Sequence, residues 1–364
     1  MLIRCRTSQV LLILLSLLFL GGCSSGDARA SGMPRNVILV IGDGMGFEQI
    51  AAASYYQTGT EQGVSFHEFP FAAEVRTASA DSAITDSAAS ATAMATGVKV
   101  ANGVISRRIP GDGAPLETVI ERYEQAGKAS GLVTTAYVTH ATPAAFGAHA
   151  SSRSNLEEIG RDYFTQSRPE VVLGGGANGV TRSLAEENGY TVVTSAEELR
   201  LLLTSGLGQF SGQFGETHLP YEIDGLGELP HLSDMTEAAV AVLENDPEGF
   251  FLMVEGARID HAGHANDLAA MVAETIELAR TVDWLIDWAT ADGETLLLVT
   301  ADHETGGLEV LENRGTGNLP AVSWSTIGHT GVNVPIFAMG PGADRVTGIM
   351  ENTEIHSLLL QGLQ

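Results

Sequence analysis

The sequence predicts an α/β protein, a three-layer α/β/α sandwich with a mostly parallel central sheet. Three observations carry this. Six short runs are apolar almost without interruption, at residues 36–41 (NVILVI), 131–138 (GLVTTAYV), 171–173 (VVL), 250–254 (FFLMV), 295–300 (TLLLVT) and 334–339 (VPIFAM). Strands written this way are covered on both faces, as in parallel sheets flanked by helices. Between the runs lie helical patterns, clearest over residues 267–288, where Leu268, Met271, Val272, Ile276, Ala279, Val282 and Ile286 recur on one stripe. Strand and helix therefore alternate. Four of the strands are followed at once by polar residues able to do chemistry, at the end of the sheet where open α/β folds bind ligands.

Residues 1–32 stand apart from this pattern. Arg4 and Arg6 precede an apolar run over residues 10–20, which meets Leu20-Gly21-Gly22-Cys23. The run is too short to span a bilayer and is flanked like an export signal. Leu-Gly-Gly-Cys resembles a bacterial lipobox, which implies a signal peptide over residues 1–22, cleavage before Cys23 and lipid on Cys23. Residues 23–32 are small and polar, the composition of a flexible tether. A single folded domain is expected over residues 33–364. The mature protein is expected to be exported and lipid-anchored in the cell envelope, at the periplasmic face of the outer membrane, touching the membrane only through that anchor. Cys5 and Cys23 are the only cysteines, so the mature fold has none for a disulfide.

The net charge is −26, with Lys99 and Lys128 the only lysines. Such a field excludes nucleic acid and anionic lipid surfaces as partners. Part of the acidic excess reads as carboxylates waiting for cations.

Taken in order, the strand ends supply those carboxylates. Residues 36–41 lead into Gly42-Asp43-Gly44-Met45-Gly46, whose spacing is not that of a dinucleotide fingerprint. Next, Thr85 and Asp86 precede an alanine-rich run that begins at Ser87, which places Ser87 at a helix start, where an anion and an alkoxide are favoured. Residues 131–138 lead to His140 and Thr142. Residues 171–173 lead into Gly174-Gly175-Gly176, which lacks the lysine and hydroxyl of a phosphate loop and reads as a plain turn. The Gly-rich stretch 210–230 reads as a loop that could border the site. Residues 250–254 lead into Glu255 and then Arg258-Ile259-Asp260-His261-Ala262-Gly263-His264; residues 295–300 lead to Asp302 and His303; His329 follows.

Unpaired, Asp43, Glu255, Asp260 and Asp302 would repel one another in one cleft, and divalent cations remove that conflict. Asp260 with His264 and His329, or Asp302 with His303, suits zinc. Glu255, Asp43 and the Thr142 hydroxyl suit magnesium. Ser87 is the candidate nucleophile.

Eight motifs in order resemble the signature set of the alkaline phosphatases: GDGMG from Gly42, TDSAAS from Thr85, THATPA from Thr139, HASSR from His149, VEG from Val254, DHAGH from Asp260, TADHE from Thr300 and GHTG from Gly328. The resemblance spans nearly the whole mature chain. It implies a first zinc on Asp260, His264 and His329, and a second on Asp43, Asp302 and His303, which also meets the nucleophile Ser87. It implies a magnesium site on Asp43, Thr142 and Glu255, and Arg153 as the clamp on phosphate oxygens. His140 and His261 stand where some bacterial relatives carry aspartate and lysine. His140 could bind metal directly or through water, the third site could hold magnesium or zinc, and His261 could reach phosphate through water. The implied activity is hydrolysis of phosphate monoesters through a phosphoserine. His67, His149, His218, His231 and His356 are read as structural.

Three rival readings are weighed against this. A sulfatase would need a proline and an arginine after its modified residue, and the run after Ser87 has neither. A phosphodiesterase is disfavoured because a diester leaves one fewer charged oxygen for Arg153 to grip. A lipoprotein that only binds metal or phosphate would not need Ser87. The stretch between His303 and His329 is too short for an added domain, so a compact monomer or homodimer is expected.

Overall fold

The first apolar run becomes the strand at the middle of the molecule. The computed structural model describes residues 32–205 and 208–364, so the expected export signal, Cys23 and most of the expected tether lie outside the described residues. The strands are β1 (Asn36–Gly42), β2 (Phe71–Arg76), β3 (Ala129–Tyr137), β4 (Val171–Gly175), β5 (Thr191–Val193), β6 (Phe210–Gln213), β7 (Phe250–Gly256), β8 (Thr295–Ala301), β9 (Glu304–Thr305), β10 (Leu308–Glu312), β11 (Ala321–Trp324), β12 (His329–Thr330), β13 (Val334–Met339) and β14 (Ile349–Glu351). Helices are α1 (Phe47–Thr58), α2 (Ser87–Thr96), α3 (Val119–Gln125), α4 (Ala141–Gly147), α5 (Leu156–Asp162), α6 (Arg182–Glu187), α7 (Ala196–Ser205), α8 (Leu232–Leu243), α9 (Arg258–His264), α10 (Leu268–Asp292) and α11 (Asn352–Leu359).

Ten strands form one sheet in the order β14-β2-β13-β8-β1-β7-β3-β4-β6-β5. Only β13 runs against its neighbours, β2 and β8; the four central strands β8, β1, β7 and β3 are mutually parallel. Every residue of β1, β7 and β8 is buried, which requires cover on both faces. One group of helices, α1, α8 and α9, packs on α10, and α8 and α10 lie against the central strands. A second group, α2, α3, α4 and α11, packs together, and α3 and α4 reach β3 and β7 from the other side. This is the predicted α/β/α sandwich.

Local chemistry fixes the helix ends. Asp86 caps α2 by accepting from the Ala89 N–H, and the helix stops at Gly97, which takes a φ of 73°. Asp267 caps α10 by accepting from the Ala269 and Ala270 N–H groups. The predicted helix over 267–288 thus starts one residue later and runs on to Asp292.

Two expectations are corrected. Residues 210–213, read as loop, form β6 between β4 and β5, because Phe210 and the following Phe214 are buried and the flanking backbone pairs despite the glycine. Gly174 and Gly175, read as a turn, extend β4, and Gly175 packs so closely on Thr217 that a side chain there would strike its carbonyl. Residues 308–325 hold only the β10–β11 hairpin. No described helix is long and apolar enough to cross a membrane.

Candidate metal centre and active site

The four central strands end side by side, and their first residues beyond the sheet converge. Asp43 follows β1, His140 follows β3, Glu255 is carried near the end of β7, and Asp302 with His303 follows β8. His329 arrives separately. It opens β12, which pairs antiparallel with β9 so that His329 faces Thr305, and its ring stacks on that of His303 with centroids 3.5 Å apart.

Helix α9 sorts the residues of DHAGH. Positions four apart share a helix face, so Asp260 and His264 meet, with Nε2 to Oδ2 at 3.3 Å. His329 Nε2 lies 3.5 Å from the other Asp260 oxygen. His261, one residue on, points to a different face. Donor atoms of Asp260, His264 and His329 all lie within 4.8 Å of one another, as do those of Asp43, Asp302 and His303, and those of Asp43, Glu255 and His140. Asp43 is common to the last two groups.

Partners behind the rings fix which nitrogen faces inward. His264 Nδ1 meets the Ile327 carbonyl at 2.6 Å and His329 Nδ1 meets the Thr85 carbonyl at 2.9 Å. A carbonyl only accepts, so each Nδ1 carries a proton and Nε2 is the nitrogen turned to the centre, where it donates to Asp260 without a cation and would give up that proton to bind one. The Thr305 hydroxyl donates to Asp260, leaving its oxygen to accept from His303 Nδ1 at 3.3 Å. All three imidazoles therefore present Nε2.

The carboxylates are left in want of positive charge. Asp43, Glu255 and Asp302 are fully buried. Neither oxygen of Asp43 has a hydrogen-bond partner, nor does one oxygen each of Glu255 and Asp302. Burial pushes the Asp43 carboxyl well up, and the charges of Asp302, Asp260 and Glu255 push it further. Burial lifts Glu255 to about 7 against the pull of the Thr134 and Thr142 hydroxyls. The Thr142 hydroxyl itself makes no well-aligned hydrogen bond. Asp260 is the exception: burial would raise it, but the His264 and His329 hydrogen bonds outweigh that and hold it well below the usual range. The same bond lifts His264 to about 9. Buried carboxylates with orphaned oxygens, beside imidazoles that turn Nε2 inward, are a donor set that fits divalent cations.

Ser87 is the first residue of α2, and its hydroxyl lies 3.3 Å from His303 Nε2. Arg153 sits beside it, donating to Asp86 at 3.1 Å and to His140 Nε2 at 3.1 Å. Asp86 thus both caps the helix of Ser87 and orients Arg153.

His218, read as structural, belongs to this site. Its ring lies 4.4 Å from that of His261, 5.6 Å from His140 and 4.7 Å from Tyr137. No local pattern marks it, because it comes from the segment after β6 and meets His261 only through the fold. Arg258 and Tyr221 were also missed; the guanidinium lies 3.9 Å over the Tyr221 ring and donates to His261 Nδ1 at 2.9 Å.

Comparison with known proteins gives the family. The family model described as alkaline phosphatase matches residues 34–319 and 312–364. Alkaline phosphatase 3 of Bacillus subtilis (strain 168) is 32% identical over 91% of this chain and 89% of its own length. Alkaline phosphatase of Escherichia coli (strain K12) is 31% identical over 90% of this chain and 86% of its own. The structure of alkaline phosphatase from the Antarctic bacterium TAB5 superposes with a TM-score of 0.82 at 31% identity, covering 91% of this chain and 98% of that one. The chain belongs to the alkaline phosphatase family and is a metal-dependent phosphomonoester hydrolase.

Proposed function

We propose that the enzyme works through a phosphoserine on Ser87, at a centre for two zinc ions and one magnesium ion, with zinc an alternative in the third position. The observation that carries this is the Ser87 hydroxyl at 3.3 Å from His303 Nε2, at a helix N-terminus and beside three converging donor sets. Asp260, His264 and His329 would hold the first zinc; Asp43, Asp302 and His303 the second, in reach of Ser87. Asp43, Glu255 and Thr142 would hold the magnesium, with His140 bound to it directly or through water.

When bound, the cations neutralise the buried carboxylates, favour the Ser87 alkoxide and stabilise the departing alcohol oxygen. Ser87 Oγ attacks phosphorus in line with the leaving oxygen; the Oγ–P bond forms as the P–O bond to the alcohol breaks. Water then cleaves Oγ–P, releasing inorganic phosphate and restoring the hydroxyl. Arg153 offers a planar pair of donors to non-bridging oxygens, held in place by Asp86, and His261 reaches phosphate through water. The Ser87 end of α2 adds its partial positive charge.

Residues 33–364 act in this reading as one catalytic domain, exported by residues 1–22 and tethered through lipid on Cys23. The test compares initial rates on p-nitrophenyl phosphate and bis(p-nitrophenyl) phosphate at alkaline pH, with metal-stripped protein and with Zn²⁺ and Mg²⁺ restored. Fast monoester turnover that requires zinc is expected, with the diester far slower. Ser87→Ala is expected to lower turnover by at least about a thousandfold while phosphate still binds. Turnover retained in Ser87→Ala would rule out the phosphoserine route.

A further inference from the structure

The carboxylates of the centre beside the proposed phosphate position offer no donors. Asp43, Glu255, Asp260 and Asp302 carry only lone pairs when ionised. A phosphate monoester is itself acceptor-rich, so each properly aimed N–H beside it matters. His261 can supply one or withhold it, according to which ring nitrogen holds the proton.

The structure gives His261 one polar side-chain partner among the described residues, the Arg258 guanidinium at 2.9 Å from Nδ1. Guanidinium has five N–H donors, no lone pair to accept with, and stays protonated. Nδ1 must then present its own lone pair, because an Nδ1–H would meet the Arg258 N–H head on. Arg258 has little freedom to turn away. It sits one helical turn before His261 on α9, its Nε is buried, and its plane lies 3.9 Å over the Tyr221 ring. The opposite flank is set as well. His218 lies against the His261 ring, His140 lies 5.6 Å away, and Arg153 donates to His140.

We propose that Arg258 is a positioning residue for phosphate recognition: it fixes His261 as the Nε2–H tautomer, so that the imidazole meets a phosphoryl oxygen, or the water that bridges to it, as a donor. Tyr221 holds Arg258 in that role. This rests on the placement of the phosphate beside His261 given above. Without Arg258 the ring is free to put its proton on Nδ1, and Nε2 then turns a lone pair toward the anion.

The experiment uses the zinc- and magnesium-loaded full chain. Long-range ¹H–¹⁵N NMR of ¹⁵N-histidine-labelled protein reads the tautomer, with His261→Gln identifying the signal. Wild type is expected to show Nε2–H, and Arg258→Met a mixture or Nδ1–H. In kinetics, Arg258→Met should raise KM for p-nitrophenyl phosphate and the inhibition constant of inorganic phosphate about tenfold, with a smaller change in kcat. Arg258→Lys, which keeps one donor, should recover most of this. In a His261→Ala background, Arg258→Met should add less than about twofold. An Nδ1–H signal in the wild type overturns the proposal with no variant needed, and so does a full Arg258 effect in the absence of His261. Failure of the underlying reading looks different: the tautomer follows Arg258 as expected, yet phosphate leaves the His261 resonance unmoved.

Discussion

Asp260 and Glu255 lie in one centre yet their pKa values move in opposite directions, and the difference is their partners. Asp260 is held down by two imidazoles, whereas Glu255 has hydroxyls and is raised to about 7 by burial. The signs of their linkage to stability follow. In metal-free protein the raised Glu255 contributes stability fully present below its ordinary 4.5, lost as pH climbs through about 7. His264, raised from 6.5 to about 9, contributes stability present below 6.5 and lost through 9. Asp260 acts the other way, but only below its ordinary 3.8. The Tm of chelator-treated protein should therefore fall between about pH 6.5 and pH 9, above the range where the lowered imidazoles of His218 and His261, at about 3 and about 4, act in the opposite sense. Zinc and magnesium should flatten that fall, since binding them requires the deprotonated groups. A thermal melt series that is level across this range without metal would contradict the assignment of these groups.

Gly44, between β1 and α1, takes a φ of 73°, and a Cβ there would come within 2.9 Å of the Asp260 Cα. Gly44→Ala is expected to cost about 1–2 kcal/mol in backbone strain and to push Asp260 on α9 away from the turn that holds Gly44. Its first-site zinc affinity, measured by chelator competition, should fall at least about tenfold relative to wild type; unchanged affinity would mean that α9 tolerates the shift. Elements differ in how far the sequence reveals them. The six apolar runs were legible because strands covered on both faces need no partner to declare themselves. β2 alternates between exposed and half-buried positions until Val75, β6 contains Gly212, and β9 and β12 have two residues each; such strands exist only by virtue of what they pair with. The same divide runs through the site. Asp43, Asp302 and His303 stand at strand ends that the pattern exposes, and α9 separates Asp260 from His264 by one turn. His218 and Tyr221 come from a segment with no periodic signal, so their contact with His261 and Arg258 is a property of the fold alone.

Across the whole molecule, a net charge of −26 sets acidic residues against one another over a surface with few cations to offset them. Both lysines are engaged at the main chain, Lys99 on the Ala78 carbonyl and Lys128 on those of Arg35 and Glu248. Screening should relieve this repulsion, so Tm in the metal-loaded protein is expected to rise by several degrees as sodium chloride goes from about 0.01 M to 1 M, where the Debye length shrinks from about 30 Å to 3 Å. A Tm that falls with salt would point instead to ion pairs as the dominant surface term. Distance along the chain has its own consequence. The backbone N–H of Gly44 reaches Asp302 across 258 residues of sequence, and Ser87 reaches His303 across 216. No partial chain ending before His329 can present the full donor sets, and no folding intermediate can while β1 and β8 remain apart. Metal capture is thus a reporter of the last long-range docking, and the rate at which refolding protein withdraws zinc from a fluorescent chelator would clock the closing of the sheet.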